Sequence, residues 1–198
     1  MKRIKSFFSI TTIFFALLLT TLAVCGQADN PKPPSESSYE IMLQLIVGSN
    51  DAGEGTALPQ NLRSISSQLK SNFAFSNYRL DNTFVGRIGT NGTFEYKSIS
   101  NTIGSGPDSD APSFLEWTLG TLRTSTNDKG QATFQAQQFR FGAKVPIRIS
   151  AGSVNYESVG VNVNRVGLRE NSPTLIGTLS LPKTAGTMFL VLTVKPTE

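Results

Sequence analysis

Asn77-Tyr78-Arg79-Leu80-Asp81-Asn82-Thr83-Phe84-Val85-Gly86-Arg87-Ile88-Gly89-Thr90 runs into Asn91-Gly92, and Thr93-Phe94-Glu95-Tyr96-Lys97-Ser98-Ile99-Ser100 runs out of it. Two β-rich runs around Asn-Gly give the strongest short-range hairpin signal, because a type I′ turn needs positive φ at its central residues. From Asn77 the chain reads as β almost to its end. Phe114 to Thr124 and Gln131 to Phe141 flank Asn127-Asp128-Lys129-Gly130, which predicts a second hairpin with a bulge at the glycine. Ala143, Val145, Ile147 and Ile149 alternate with Lys144, Pro146, Arg148 and Ser150, as Val159, Val161 and Val163 do with Gly160, Asn162 and Asn164. Both are strands with one wet face. The last strands are Thr174–Leu181 and Thr187–Lys195. Met188 to Val194 is apolar at almost every position, which places it in the middle of a sheet.

Upstream of the hairpin the period changes. Leu62, Ile65, Leu69 and Phe73 recur at steps of three, four and four, with Arg63, Ser64, Ser67, Gln68, Lys70 and Ser71 on the other side. That spacing predicts one amphipathic helix over 60–72, with Pro59 at its first turn and its apolar stripe packed on a sheet. Before it, residues 39–47 have the length and composition of a strand covered on both faces. The expected fold is therefore mainly β with an α+β opening. It is an antiparallel sandwich or sheet assembly of about nine strands with one helix packed on it. The domain spans 39–198, with a sub-boundary in the polar loop 101–113. For Met188–Val194 the expectation is that Leu190 and Leu192 face the main core, and that Phe189 and Val191 are covered from the other side by the Leu62/Ile65/Leu69 stripe.

The N-terminus reads as an export signal over 1–28. Lys2, Arg3 and Lys5 precede a stretch without charge from Phe7 to Val24. Gly26-Gln27-Ala28 supplies the small residues that signal peptidase needs. Leu22-Ala23-Val24-Cys25 is similar to a lipobox, in which Cys25 would be lipidated, with Val24 where that pattern has Gly, Ala or Ser. An uncleaved anchor is the third fate, although the run is short for a spanning helix. Residues 29–38 form a Pro/Ser-rich tether. The formal charge of +4 depends on the signal, which holds three of the 18 basic residues and none of the 14 acidic ones. The remaining Lys and Arg are scattered singly, and no nucleic-acid surface is expected. The membrane is met only through the signal or a lipid anchor.

The chain has no His and one Cys. That excludes Ser-His-Asp and Cys-His triads, His-based metal sites, zinc fingers and iron–sulfur clusters. No metal, cofactor or catalytic residue is assigned. Neither Asp108-Ser109-Asp110 nor Asp51-Ala52-Gly53-Glu54 follows a calcium-loop pattern. Gly86-Arg87-Ile88-Gly89 and Gly104-Ser105-Gly106 lack phosphate-loop spacing. Ser67-Gln68-Leu69-Lys70 matches a Ser-x-x-Lys start but lies late in its helix. Trp117 has a face that could stack on a sugar, beside Glu116. Neighbours on a strand point to opposite faces, which favours a core Trp117 with a solvent-facing Glu116.

Asn72-Phe73-Ala74-Phe75-Ser76-Asn77-Tyr78-Arg79-Leu80 and Leu168-Arg169-Glu170-Asn171-Ser172-Pro173-Thr174-Leu175-Ile176-Gly177-Thr178-Leu179 together resemble a group of exported proteins of Gram-negative soil bacteria that has no activity to lend. The second stretch also resembles the closing β-segment of secretins, the outer-membrane ring proteins of secretion systems. The strand–helix–hairpin opening is similar to their small periplasmic domains. The resemblance implies an accessory or ring-like β module of the envelope and carries over no catalytic residue. The expectation is a non-catalytic protein of the periplasm or outer membrane of a Gram-negative bacterium, acting through envelope protein partners. The alternative is a glycan or small-ligand module using Trp117. The third reading is a carboxylate-based hydrolase, which needs two carboxylates facing one cleft.

Overall fold

The computed structural model describes residues 37–50, 57–100, 103, 111–128, 130–150, 153–181 and 186–197. The expected export signal with Cys25, the expected tether as far as Glu36 and the acidic stretches at 51–54 and 108–110 lie outside the described residues. Eleven strands and one helix are described. They are β1 (Ser38–Ser49), a 3-10 turn (Gln60–Leu62) leading into α1 (Arg63–Asn72), β2 (Asn77–Gly89), β3 (Phe94–Ser100), β4 (Ser113–Leu119), β5 (Leu122–Thr126), β6 (Ala132–Ala136), β7 (Phe139–Ser150), β8 (Ser153–Val163), β9 (Val166–Arg169), β10 (Thr174–Ser180) and β11 (Gly186–Pro196). They form three antiparallel sheets, ordered β10-β11-β1-β2, β3-β4-β7-β8 and β5-β6-β9.

The first sheet is built on β11, which pairs with β1 on one side and β10 on the other. One face of it sends Ile41, Leu43, Leu45, Met188, Leu190, Leu192 and Val194 into the main core. There they meet Leu115, Trp117, Leu119, Phe139, Phe141 and Val145 of the second sheet, and Phe134, Ala136 and Leu168 of the third. The other face sends Ile46, Phe189 and Val191 against Leu62, Ile65 and Leu69 of the helical segment. The Leu/Ile stripe therefore packs on a sheet, and β11 is covered on both faces and paired on both edges, as its composition demands.

One expectation about connectivity is corrected. Asn91-Gly92 does turn the chain, with Asn91 at φ +61° and Gly92 N–H donating to Gly89 O at 3.0 Å. It does not make a hairpin, because β2 joins the first sheet and β3 the second. A type I′ turn needs two consecutive residues of positive φ, and here only Asn91 has it. Asn91 N–H donates instead to Leu122 O, 3.0 Å away, at the start of β5. The turn is an arch from one layer to the other, and the Phe94 ring packs over Gly86 where a Cβ would have no room.

The hairpin expected across Asn127–Gly130 forms, and it is bent. Residues 114–124 and 131–141 form one long bent hairpin rather than two unbroken strands. It breaks at Gly120-Thr121 and Gln137-Gln138, where Gly120 N–H donates to Gln138 O at 2.7 Å and Gln137 N–H to Thr121 O at 3.1 Å. The bend lets β4 and β7 stay in one sheet while β5 and β6 continue in another. The turn at its tip does follow the sequence: Gly130 has φ +74° and donates to Asn127 O at 2.9 Å. The short β9 completes the third sheet by pairing with β6.

Candidate functional site

On β4 the inward positions are Ser113, Leu115, Trp117 and Leu119, all buried, while Phe114 and Glu116 are exposed. Trp117 is 1% exposed and is packed between the rings of Phe94 (centroids 4.8 Å) and Phe139 (6.5 Å). Its Nε1–H has no partner among the described residues. Trp117 is thus the core residue that strand alternation favours, and its ring is covered on both sides. Strand alternation is the physical reason: Glu116 faces solvent, so its neighbour must face the core.

The outer face of the β3-β4-β7-β8 sheet holds a cleft of about 720 Å³, lined by Ile99, Phe114, Glu116, Gly142, Lys144 and Tyr156 among others. Register explains this assembly. Ile99 lies opposite Phe114, Phe114 opposite Lys144, and Lys144 opposite Ser158, forming one row across four strands. The next row is Lys97, Glu116, Gly142 and Gly160. Gly142 leaves the floor open: a Cβ there would lie 3.5 Å from the Glu116 side chain and meet nothing closer. The Phe114 and Tyr156 rings stand 5.7 Å apart at 52° above it. Ile99 is 62% exposed, Phe114 43% and Tyr156 39%. Together they make an apolar cluster on the solvent face of the sheet.

Charge in the cleft is unevenly paired. Lys97 Nζ lies 2.7 Å from Glu95 Oε1. That hydrogen bond first, the Glu95 charge second and the Glu116 charge more weakly raise the Lys97 pKa above its ordinary value. Lys144 has no ion-pair partner among the described residues. Glu116 is the sole carboxylate lining the cleft among the described residues, so the pair that glycoside hydrolysis uses is not assembled there. No group of three or more His, Cys, Asp or Glu gathers among the described residues. No described helix is long and apolar enough to cross a membrane.

Neither family models nor curated proteins give a match to this chain. Solved structures do. The InvG secretin-domain β-barrel from the Salmonella SPI-1 injectisome NC-base aligns over 95% of this chain and 68% of its own, at 11% identity and TM-score 0.38. InvG residues 176-end in the open-gate state align over 95% and 65%, at 12% and 0.33. The type II secretin GspD of enteropathogenic Escherichia coli aligns over 82% and 66%, at 10% and 0.34. The chain spans about two thirds of each. At such identities and TM-scores none of them assigns a role to a residue here.

Phe114, Tyr156, Ile99 and Lys144 were not singled out from the sequence. A signal for Phe114 was present. It shares strand parity with Glu116, whereas Leu115, Trp117 and Leu119 share the other, so a large aromatic stands on the polar side. Tyr156 needed the β7–β8 register, which no local pattern displays.

Proposed function

We propose that this protein is exported to the cell envelope and acts there without catalysis, through contact between its β3-β4-β7-β8 outer face and an envelope protein. The observation that carries the reading is the exposed Ile99-Phe114-Tyr156 cluster over the open Gly142 floor. The basic, apolar start of the chain and the Pro-rich tether after it support export to that compartment. A photo-crosslinking residue in place of Phe114 should give one discrete adduct in the envelope fraction, whereas the same residue at exposed Arg123, on β5, should not. Recovery of the protein from membranes only as a free species, with no adduct from position 114, would refute the reading.

A small-ligand reading rests on a separate observation, the size of the cleft and its two tilted rings. A cavity of 720 Å³ falls in the range used for small molecules. On this reading the stacking residues are Phe114 and Tyr156 rather than Trp117. Titration with soluble glycans, followed by tyrosine fluorescence and by a Phe114→Ala control, separates it from protein contact.

A further inference from the structure

Strand β8 ends its sheet, and no described strand pairs with its outer side. β10 rests against its far half, with Gly177 under Val161, while residues 153–158 are all exposed. The β4–β7 ladder ends at the Phe114/Lys144 pair, while β7 and β8 continue together past a bulge to Ser150/Ser153. The end of this hairpin is therefore a two-stranded ribbon, and such a ribbon is marginal until a further strand joins it. The other edges carry devices that discourage pairing. β2 has Arg79, Arg87 and a bulge at Asp81; β10 has a bulge at Ile176; β3 has Glu95 and Lys97; β5 has Arg123; β9 is four residues long. β8 is eleven residues long, has no Lys or Arg, and holds one charge, Glu157.

The backbone shows which groups face outward. Tyr156 lies opposite Pro146, which has no N–H, and Tyr156 N–H donates instead to Asn155 Oδ1 at 3.0 Å. Tyr156 therefore points its backbone off the edge, as do Val154 and Ser158 by the period of two. The Asn155 carboxamide occupies the place that a partner strand's carbonyl would take.

We infer that a second copy of this chain adds to β8, antiparallel and about a two-fold axis at Tyr156. Tyr156 then pairs with Tyr156 of the second copy, and Val154 with its Ser158, each pair exchanging two backbone hydrogen bonds. This register sets each Glu157 opposite an Asn155. A shift of one residue in the axis would set the two Glu157 carboxylates opposite each other, and like charges directly opposite are destabilising. The two sheets become one eight-stranded sheet, with the two Tyr156 residues at the axis and each Phe114 two strands in from the seam.

The test is sedimentation equilibrium of the exported protein over a range of concentrations. A reversible dimer is expected. Asn155→Ala removes the competing acceptor and should tighten it by roughly threefold or more. Ser158→Pro removes an outward N–H while leaving the β7 ladder intact, and should give monomer at every concentration. Should that variant fail to fold, single cysteines decide, in a Cys25→Ser background. Tyr156→Cys should cross-link under mild oxidation, because directly paired Cα atoms lie about 5.5 Å apart, within disulfide reach. Val154→Cys, paired with Ser158 rather than with itself, should not. Monomer at all concentrations for both the parent and Asn155→Ala, a dimer indifferent to both substitutions, or cross-linking at 154 in preference to 156 would each overturn the inference. Phe114→Ser leaves this pairing in place while removing the envelope contact proposed above, so either reading can fail without the other.

Discussion

Leu190 and Asp81 show opposite signs of burial in the same sheet. Leu190 is fully buried in the central strand, with its side chain in the main core. Leu190→Ala should cost about 2–5 kcal/mol in denaturant unfolding, the range for a leucine whose site cannot collapse; a loss below about 0.5 kcal/mol would contradict its placement. Asp81 is the extra residue of the β2 bulge, its side chain 2% exposed, with Oδ1 accepting from Arg79 Nη1 at 2.9 Å. Burial raises its pKa more than the Arg79 charge and hydrogen bond lower it. A carboxyl with a raised folded-state pKa favours the fold when protonated. That contribution is complete below the ordinary Asp pKa and is lost as pH rises through the folded value. Asp81→Asn keeps an acceptor for Arg79 and removes the charge. It should stabilise the protein at neutral pH, and the gain should vanish as pH falls below the ordinary carboxylate range. A gain that persists unchanged in acid would show that charge burial is not its source.

At the scale of elements, the difference between what was legible and what was not follows from distance along the chain. The helix was legible because Leu62, Ile65 and Leu69 write their period into eight consecutive residues. So was β11, whose composition fits a strand covered on both sides. The Asn127–Gly130 hairpin was legible because β5 and β6 are both neighbours and partners. Asn91-Gly92 misled because its local turn signal is real while the partners of its flanking strands, β1 and β4, lie elsewhere in the chain. The cleft was illegible for the same reason: Phe114, Lys144 and Tyr156 meet only through register. The end of α1 offers a test of packing at this scale. Tyr78, on β2, directs its hydroxyl at Leu69 O, which also accepts from Phe73 N–H, and at Phe73 O, each at 3.1 Å, and so ties down the C-terminal end of the helix. Tyr78→Phe should cost about 0.5–1.5 kcal/mol. Amide exchange should quicken selectively at residues 69–73. Uniform acceleration across the sheets would assign the loss to the core instead.

For the whole molecule, the strand nearest the end of the chain joins both cores. β11 contributes Met188, Leu190, Leu192 and Val194 to the main core, and Phe189 and Val191 to the cluster under the helix. Its partner β1 lies at the other end of the described chain, with Tyr39 opposite Pro196. Thr197 N–H donates to Ser38 O at 3.0 Å and closes the same ladder. The central pairing is thus among the least local in the molecule. Its loop-closure entropy must be met before either core is complete, which predicts folding on the millisecond-to-second scale of all-β domains. Neither layer should persist without β11, since the main core would lose one wall and α1 its platform. A chain ending before Gly186 should therefore lose helix signal and Trp117 burial together. Far-UV circular dichroism and iodide quenching of Trp117 measure the two independently. In the intact protein Trp117, at 1% exposure, should resist the quencher. In the shortened chain it should be quenched to the extent seen in denaturant. Retention of a quench-resistant Trp117 after truncation would show that the β4–β7 layers fold alone, and that the first sheet only docks on them.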